Sequence, residues 1–484
     1  MYNQTSRQNI KLTMKRVASL FLSVAALVMT ATPPQWAVDT LAGKPYMRHA
    51  SLGIAVADVT TGELVASHSP EQSDITASTM KTLTSFAALR LLGSDFRFET
   101  PVYAVGEIDD NKLHGDLVVC GSGDPTLGSR YIACDTSIIE RIVNALKQRN
   151  ITRIDGDIVI DKSIYDNTVP FYGDWNVNDL GWSYGAAVHA FNYRDNVVDL
   201  TFDVDSDGTR TLFTVPTVPG LGIIDLTRFS SRGSNLDCTV DYGSPALVLY
   251  GQVNAGSHGF DIVNPLPDRL FIRELENALS NADIEVKHKH KNHGLKRELL
   301  TIHHSPALTA IITSLLDRSD NMFAHGLLRA IAARDKAWLD AAGQARDLDA
   351  IGVGAVKSML NSLGVDTSAL FMRDGSGLSR PGKSSAHFFT DMLTVALKQD
   401  MPVPLHTLMP LAGKRVGGPL SGSPLAQQIV LKSGSMNNVQ CFVGYFPADR
   451  PRYTWAVLVN NYTCDRATLR ADLGALLVNL FGNE

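Results

Sequence analysis

Residues 429–460 read IVLKSGSMNNVQCFVGYFPADRPRYTWAVLVN, and three runs within them, 429–432, 439–446 and 455–460, have the length and residue types of strands. An apolar helical pattern follows at 473–480. The front of the chain has matching pieces. Runs 52–59 and 64–68 flank a Thr60-Thr61-Gly62 turn and read as a hairpin. Ser78 then precedes a helical pattern with apolar Met80, Leu83, Phe86, Ala87 and Leu91, closing at Gly93. Strand–strand–helix in front, with helices, three strands and a helix behind, can build one antiparallel sheet flanked by helices. The expected class is α/β, of the α+β kind.

Between these ends the texture changes. Residues 99–299 are short apolar runs set among Gly, Asp, Asn and Pro, as at 117–119, 154–160, 197–202, 247–249 and 260–263. This stretch is β-rich and long enough for one or two domains. Helical character returns at Pro306, with Leu308, Ile311, Ile312, Leu315 and Leu316 on one face. Residues 38–98 and 300–484 are therefore expected to form one domain around a β-rich insertion, 99–299.

Composition narrows the function classes. Forty-four Lys and Arg against 49 Asp and Glu leave a net charge of −5, which argues against nucleic acid or an anionic membrane as main partner. Hydrophobic residues at 44% and charged residues at 19% exclude a disordered or collagen-like chain. Lys11, Lys15 and Arg16 precede an uncharged stretch, 17–31, which suits a secretory signal better than a membrane span. Residues 1–37 are assigned to that signal, with cleavage at 30–37, and the protein is expected to be exported, to the periplasm. No later stretch is apolar enough for an integral span.

Five cysteines, at 120, 134, 238, 441 and 464, are too few for a disulfide scaffold. Cys120 with Cys134 and Cys441 with Cys464 are close enough in sequence to be considered as pairs. Cys and His spacings do not resemble a zinc site. His288, His290 and His293 fall in a Lys-rich run, 287–296, that reads as a solvated loop. Neither metal nor cofactor is expected.

Three short motifs occur in order: Ser78-Thr79-Met80-Lys81, Ser319-Asp320-Asn321 and Lys432-Ser433-Gly434-Ser435. Singly, they could be a capped helix, a polar loop and a solvated strand. Together they are the set used by serine acyl-transferring enzymes that recognise penicillin. Ser78 and Lys81, three apart on a helix, share a face. A Ser hydroxyl needs a neighbouring base, and a Lys serves only when neutral, which requires its pKa to fall from about 10.4 toward about 7–8. Burial, the helix N-terminus and nearby Lys432 would all push that way. Ser319 is suited to relay a proton to a leaving amine, and Asn321 to hold Lys81 and a substrate amide, with Asp320 facing away. Lys432, Ser433 and Ser435 offer a cation and two hydroxyls to a carboxylate, with Gly434 between them.

The chain resembles the class C low-molecular-mass penicillin-binding proteins, the PBP4-type D-alanyl-D-alanine carboxypeptidase/endopeptidases (peptidase family S13). The resemblance rests on the three motifs, the long separation of Ser78 from Ser319, and three further segments. These are Gly121-Ser122-Gly123-Asp124-Pro125-Thr126-Leu127, Gly156-Asp157-Ile158-Val159-Ile160-Asp161 and Asp374-Gly375-Ser376-Gly377-Leu378-Ser379-Arg380. Ser433 departs from the family's usual Thr but keeps the hydroxyl. The resemblance implies a penicillin-binding, β-lactamase-like transpeptidase fold with two smaller domains inserted. It implies peptidoglycan stem peptides as substrate, an ester on Ser78, and β-lactams as covalent inhibitors. It also implies an oxyanion hole from the backbone N–H groups of Ser78 and Ser435. A diaminopimelate pocket would combine an Asp of the insertion, matched to Asp166, with Phe171 as aromatic wall and Arg380. Two alternatives are a serine β-lactamase, for which no deacylating Glu motif is evident, and a catalytically inactive peptidoglycan-binding scaffold.

Overall fold

The computed structural model describes residues 32–165, 174–288, 296–335, 339, 347–413 and 415–482. Residues 1–31 of the expected signal 1–37, together with Asp166, Phe171, His290 and His293, lie outside the described residues.

The two ends of the chain meet in one five-stranded antiparallel sheet. Its order is Val430–Met436, Val439–Phe446, Tyr453–Asn460, Ser51–Asp58 and Leu64–His68. The join is made by Ser51–Asp58 against Tyr453–Asn460, with Ile54 opposite Val457. Val439–Phe446 and Tyr453–Asn460 are buried along their whole length, so they read as continuous apolar runs rather than alternating ones. Strand geometry still sorts their side chains. Phe442, Trp455, Val457 and Val459 pack in one cluster with Ala37, Val38, Leu473 and Leu477 of the helices Gln35–Ala42 and Arg466–Phe481. Val443, Tyr445, Ala456 and Leu458 face the other side, in the cluster that holds Leu83 and Phe86 of Met80–Leu92 and Phe389 of Ala386–Lys398. Helix Gln35–Ala42 begins inside the range 30–37 expected for cleavage, and its Ala37, Val38 and Leu41 are packed in the cluster of Phe442 and Trp455.

Helix Met80–Leu92 is enclosed on nearly every side, with residues 80–89 all buried. Its neighbours include Leu308–Arg318 and Asn321–Ala332. Gly93 ends it at φ +90°, a conformation glycine adopts without steric cost.

The intervening residues build separate sheets. The hairpin Glu99–Asp109 and Lys112–Cys120 anchors a six-stranded sheet to which Ile158–Asp161 adds in parallel. Arg297–His304 closes it, with His304 opposite Glu99, so the chain leaves and returns at adjacent points. Two three-stranded sheets follow, Val197–Val204 with Arg210–Val215 and Gly256–Val263, and Gly222–Asp225 with Asp237–Asp241 and Ala246–Tyr250. Two helices, Ile138–Gln148 and Pro267–Asn281, stand in a stretch read as β-rich. All five cysteines are free, so neither considered pair is bridged. His288 pairs with Asp157 and Glu276.

Candidate active site

Ser78 sits in a single 3-10 turn, Ala77–Thr79, that runs directly into Met80–Leu92. The cap position of that helix is Thr79 rather than Ser78, and it makes no side-chain cap bond. Two glycines let other segments approach this turn. An added Cβ on Gly434 would lie 2.8 Å from Ser78 N, and one on Gly377, at φ +76°, would lie 1.9 Å from Ala77 O. The third motif and the Asp374-Gly375-Ser376-Gly377 loop thus close on the nucleophile from two directions.

Lys81 is fully buried. Its Nζ donates to Ser78 Oγ at 2.7 Å, Asn321 Oδ1 at 2.6 Å and the Ser376 carbonyl at 2.8 Å. Only one of these three partners can also donate. When Lys81 loses a proton, Asn321 Oδ1 and the Ser376 carbonyl can bond only to the two that remain, so the lone pair turns to the Ser78 hydroxyl. Burial brings the Lys81 pKa to about 7, against an upward pull from the Asp374 and Asp320 carboxylates. Burial is thus the main cause, rather than the like charge of Lys432 expected to help.

Lys432, on the edge strand Val430–Met436, is also buried. Its Nζ donates to Ser319 Oγ at 2.8 Å and to the Ser433 carbonyl at 2.7 Å. Burial and then the charge of Lys81 hold its pKa well below the usual lysine range. Ser319 ends Leu308–Arg318 in the left-handed region, φ 62°. Asp320 turns away and accepts from Phe323 N at 2.9 Å as N-cap of Asn321–Ala332. That turn places Ser319 and Asn321 in one cleft. Asn321 Nδ2 also donates to the Tyr184 carbonyl at 2.7 Å.

Asp374 organises the loop behind Lys81. Its Oδ1 accepts from Ser376 N at 2.8 Å and Gly377 N at 2.5 Å; its Oδ2 accepts from Ser379 N at 2.8 Å and Trp175 Nε1 at 2.6 Å. The peptide unit that carries the Ser376 carbonyl, and so holds Lys81, is therefore fixed by the buried Asp374 carboxylate.

The cleft has a volume of 590 Å³ and is lined by Ser78, Ser319, Asn321, Ser433, Ser435 and Arg380. It thus gathers members of all three motifs with the Arg of the fourth segment. Gly434 forms the close floor beneath Ser78. The wall contributed by the intervening region contains residues not singled out in the sequence. Tyr184 OH donates to Asp179 Oδ1 at 3.0 Å and Trp182 Nε1 to Asp237 Oδ1 at 2.9 Å. Asn437 and Arg466 complete the rim near the end of the edge strand. Among the described residues, no group of three or more His, Cys, Asp or Glu gathers as a metal site, and no helix is long and apolar enough to cross a membrane.

Residues 35–479 match the D-Ala-D-Ala carboxypeptidase 3 (S13) family. The chain is 25% identical over 449 residues to a D-alanyl-D-alanine carboxypeptidase of Actinomadura sp. (strain R39), spanning 88% of this chain and 80% of that protein. It is 24% identical over 465 residues to the D-alanyl-D-alanine carboxypeptidase DacB of Haemophilus influenzae, spanning 89% and 90%. The crystal structure of penicillin binding protein 4 from Haemophilus influenzae matches with a TM-score of 0.76 at 24% identity, over 92% of this chain and 98% of that one. A structure of the same protein complexed with a β-lactam gives 0.71. The fold is therefore the penicillin-binding one, with mixed α/β content and additional small sheets.

Proposed function

The chain belongs to the D-Ala-D-Ala carboxypeptidase 3 (S13) family, and from that membership we propose how its residues carry out the family's reaction. It is a serine-type D-Ala-D-Ala carboxypeptidase/endopeptidase acting on peptidoglycan. Neutral Lys81 takes the Ser78 proton as Oγ attacks the carbonyl of a D-alanyl residue. The backbone N–H groups of Ser78 and Ser435 receive the oxyanion. As the C–N bond breaks, Ser319, backed by Lys432, passes a proton to the departing amine. Ser319 is restored by the proton that Lys81 took, so Lys81, neutral again, accepts a proton from the water that attacks the ester and returns it to Oγ as Ser78 is released. The observation that carries this reading is the Lys81–Ser78 contact of 2.7 Å, whose other two partners leave the lone pair nowhere else to point.

Ser433 and Ser435, with Lys432, bind the carboxylate beyond the scissile bond. Across the cleft, Arg380 binds a carboxylate of the diamino acid side chain. Asp179, with the Tyr184 ring beside it, binds that residue's ammonium. This gives Asp179 the part that the resemblance matched to Asp166. β-Lactams acylate Ser78 in place of substrate. The N-terminal segment 1–31 and the location of peptidoglycan support export to the periplasm.

Labelled penicillin tests the reading. A long-lived adduct on Ser78, absent in Ser78→Ala together with peptide hydrolysis, is expected. Rapid turnover of the adduct would make the protein a β-lactamase, and no adduct would make it a scaffold.

A further inference from the structure

The cleft has a direction along the edge strand Val430–Met436. Gly434 packs against Ser78 N and so marks the level of the scissile bond. Lys432 lies two residues to one side and Met436 two to the other, each about 7 Å away at roughly 3.3 Å per residue. The Lys432 end, bonded to Ser319, receives the leaving group in the mechanism above. The acyl-donor part of the substrate therefore extends toward Met436.

At that end stands Arg466. Its Nη2 donates to the Met436 carbonyl at 2.9 Å, which holds the guanidinium at the rim and uses one of its five donors. It lines the same cleft as Ser78 and Arg380. Among the described residues no carboxylate lies in salt-bridge contact with Arg466 or Arg380. Arg466 also opens the helix Arg466–Phe481, where the helix dipole disfavours a cation. Its neighbour Asp465 is already engaged as N-cap with Thr468 N at 2.9 Å. In the same cleft, Asp179 and Asp237 have no cation in salt-bridge contact among the described residues. Two cations and two anions line one cleft, which fits a donor peptide bearing an ammonium and more than one carboxylate.

We propose that Arg466 binds a second carboxylate of the acyl-donor peptide: the α-carboxylate of the γ-linked glutamyl residue that precedes the diamino acid. The enzyme then selects stem peptides in which that group is free over those in which it is amidated. Arg380 is assigned to the diamino acid above, and Arg466 is the cation held at the Met436 end of the strand. The guanidinium fork suits a carboxylate and not a primary amide, which would turn two N–H groups toward it. This proposal rests on Ser78 as nucleophile and Ser319 at the leaving-group side.

The test compares two peptides ending in D-Ala-D-Ala that differ only in glutamate or glutamine at the γ-linked position. kcat/KM is measured for wild type, Arg466→Gln and Arg466→Lys, with thermal melting as a check of folding. Wild type is expected to favour the free acid by about fivefold to thirtyfold, the range of an accessible charge-assisted pair. Arg466→Gln should lower kcat/KM for the acid peptide to the level of the amide peptide, and Arg466→Lys should retain part of the preference. An unchanged preference in Arg466→Gln, or an equal loss on both peptides, overturns the assignment. Wild type that forms no penicillin adduct on Ser78 overturns the functional reading beneath it instead.

Discussion

Trp175 Nε1 and Asp374 Oδ2 are 2.6 Å apart, a hydrogen bond between the intervening region and the loop that holds the catalytic lysine. The same carboxylate, 1% exposed, orients the Ser376 carbonyl and raises the pKa of Lys81 against the effect of burial. The distant region thereby reaches the base through three hydrogen bonds, by way of Asp374 and Ser376.

Asp374→Asn should move the acid limb of penicillin acylation below its expected position near pH 7. Removing the carboxylate deletes a pull that raises the Lys81 pKa, so the neutral amine persists to lower pH. The rate should also fall, because an amide NH₂ would face the donors of Ser379 and Trp175 at a cost of about 1–3 kcal/mol. A lower rate with an unmoved limb would leave Asp374 a purely geometric part.

Lys81 leaves a mark on stability. Its pKa is about 7 when folded and about 10.4 when unfolded, so between these values the unfolded chain holds more protons. Stability contributed by this site therefore rises with pH across that window and is lost as pH falls through about 7. Relative to Lys81→Met, wild type should gain about 1.4 kcal/mol per pH unit within the window. Parallel urea-melt profiles from pH 7 to 10 would show that Lys81 is charged when folded.

Gly434→Ala should cost activity far more than its single methyl suggests. The new Cβ would stand 2.8 Å from Ser78 N and 2.8 Å from Thr76 O, both backbone atoms. Overpacking of this kind costs about 1–3 kcal/mol, and displacing one oxyanion donor lowers the rate by about 10²–10³. Acylation at more than a tenth of the wild-type rate would mean that the strand and the turn can separate freely.

Arg329 is fully buried and holds both oxygens of Asp349, at 2.9 Å each, while its Nη1 donates to the Val188 carbonyl at 2.8 Å. Burial would raise the Asp349 pKa, but His325 and Arg329 hold it far below the carboxylate range. Arg329→Ala strands that carboxylate and should destabilise the protein by about 3–5 kcal/mol in denaturant melts. A loss under 1 kcal/mol would mean that water reaches Asp349.

The nucleophile, base and relay were legible because each motif is local, and short-range geometry fixes what its residues share. Ser78 and Lys81 need one helical turn, and Ser319 and Asn321 one capped bend around Asp320. The sheet was legible from apolar runs even where both faces are buried. Helix Ile138–Gln148 was missed although Ile138, Ile142, Ala145 and Leu146 fall on one face, because Gly- and Asp-rich neighbours dominated the reading. Asp179 and Tyr184 gave no signal of their own. They reach the cleft only through the packing of the intervening region on Asn321. Asp374 opens a segment that carries the resemblance, but nothing in Asp-Gly-Ser-Gly tells that its carboxylate fixes the peptide that holds a lysine.

Ser51–Asp58 has no complete neighbour until Tyr453–Asn460 exists, and the strand that floors Ser78 comes from residues 430–436. A growing chain made from its N-terminus carries the nucleophile early and the means of arming it last. Contacts of such sequence separation form slowly and late. Until the carboxyl-terminal strands close, Ser319 lacks Lys432 and the Ser78 turn lacks the strand packed against it at Gly434. The acylating serine is thus gated by completion of synthesis, and a fragment ending before residue 430 would be chemically silent toward its own substrate and toward penicillin alike.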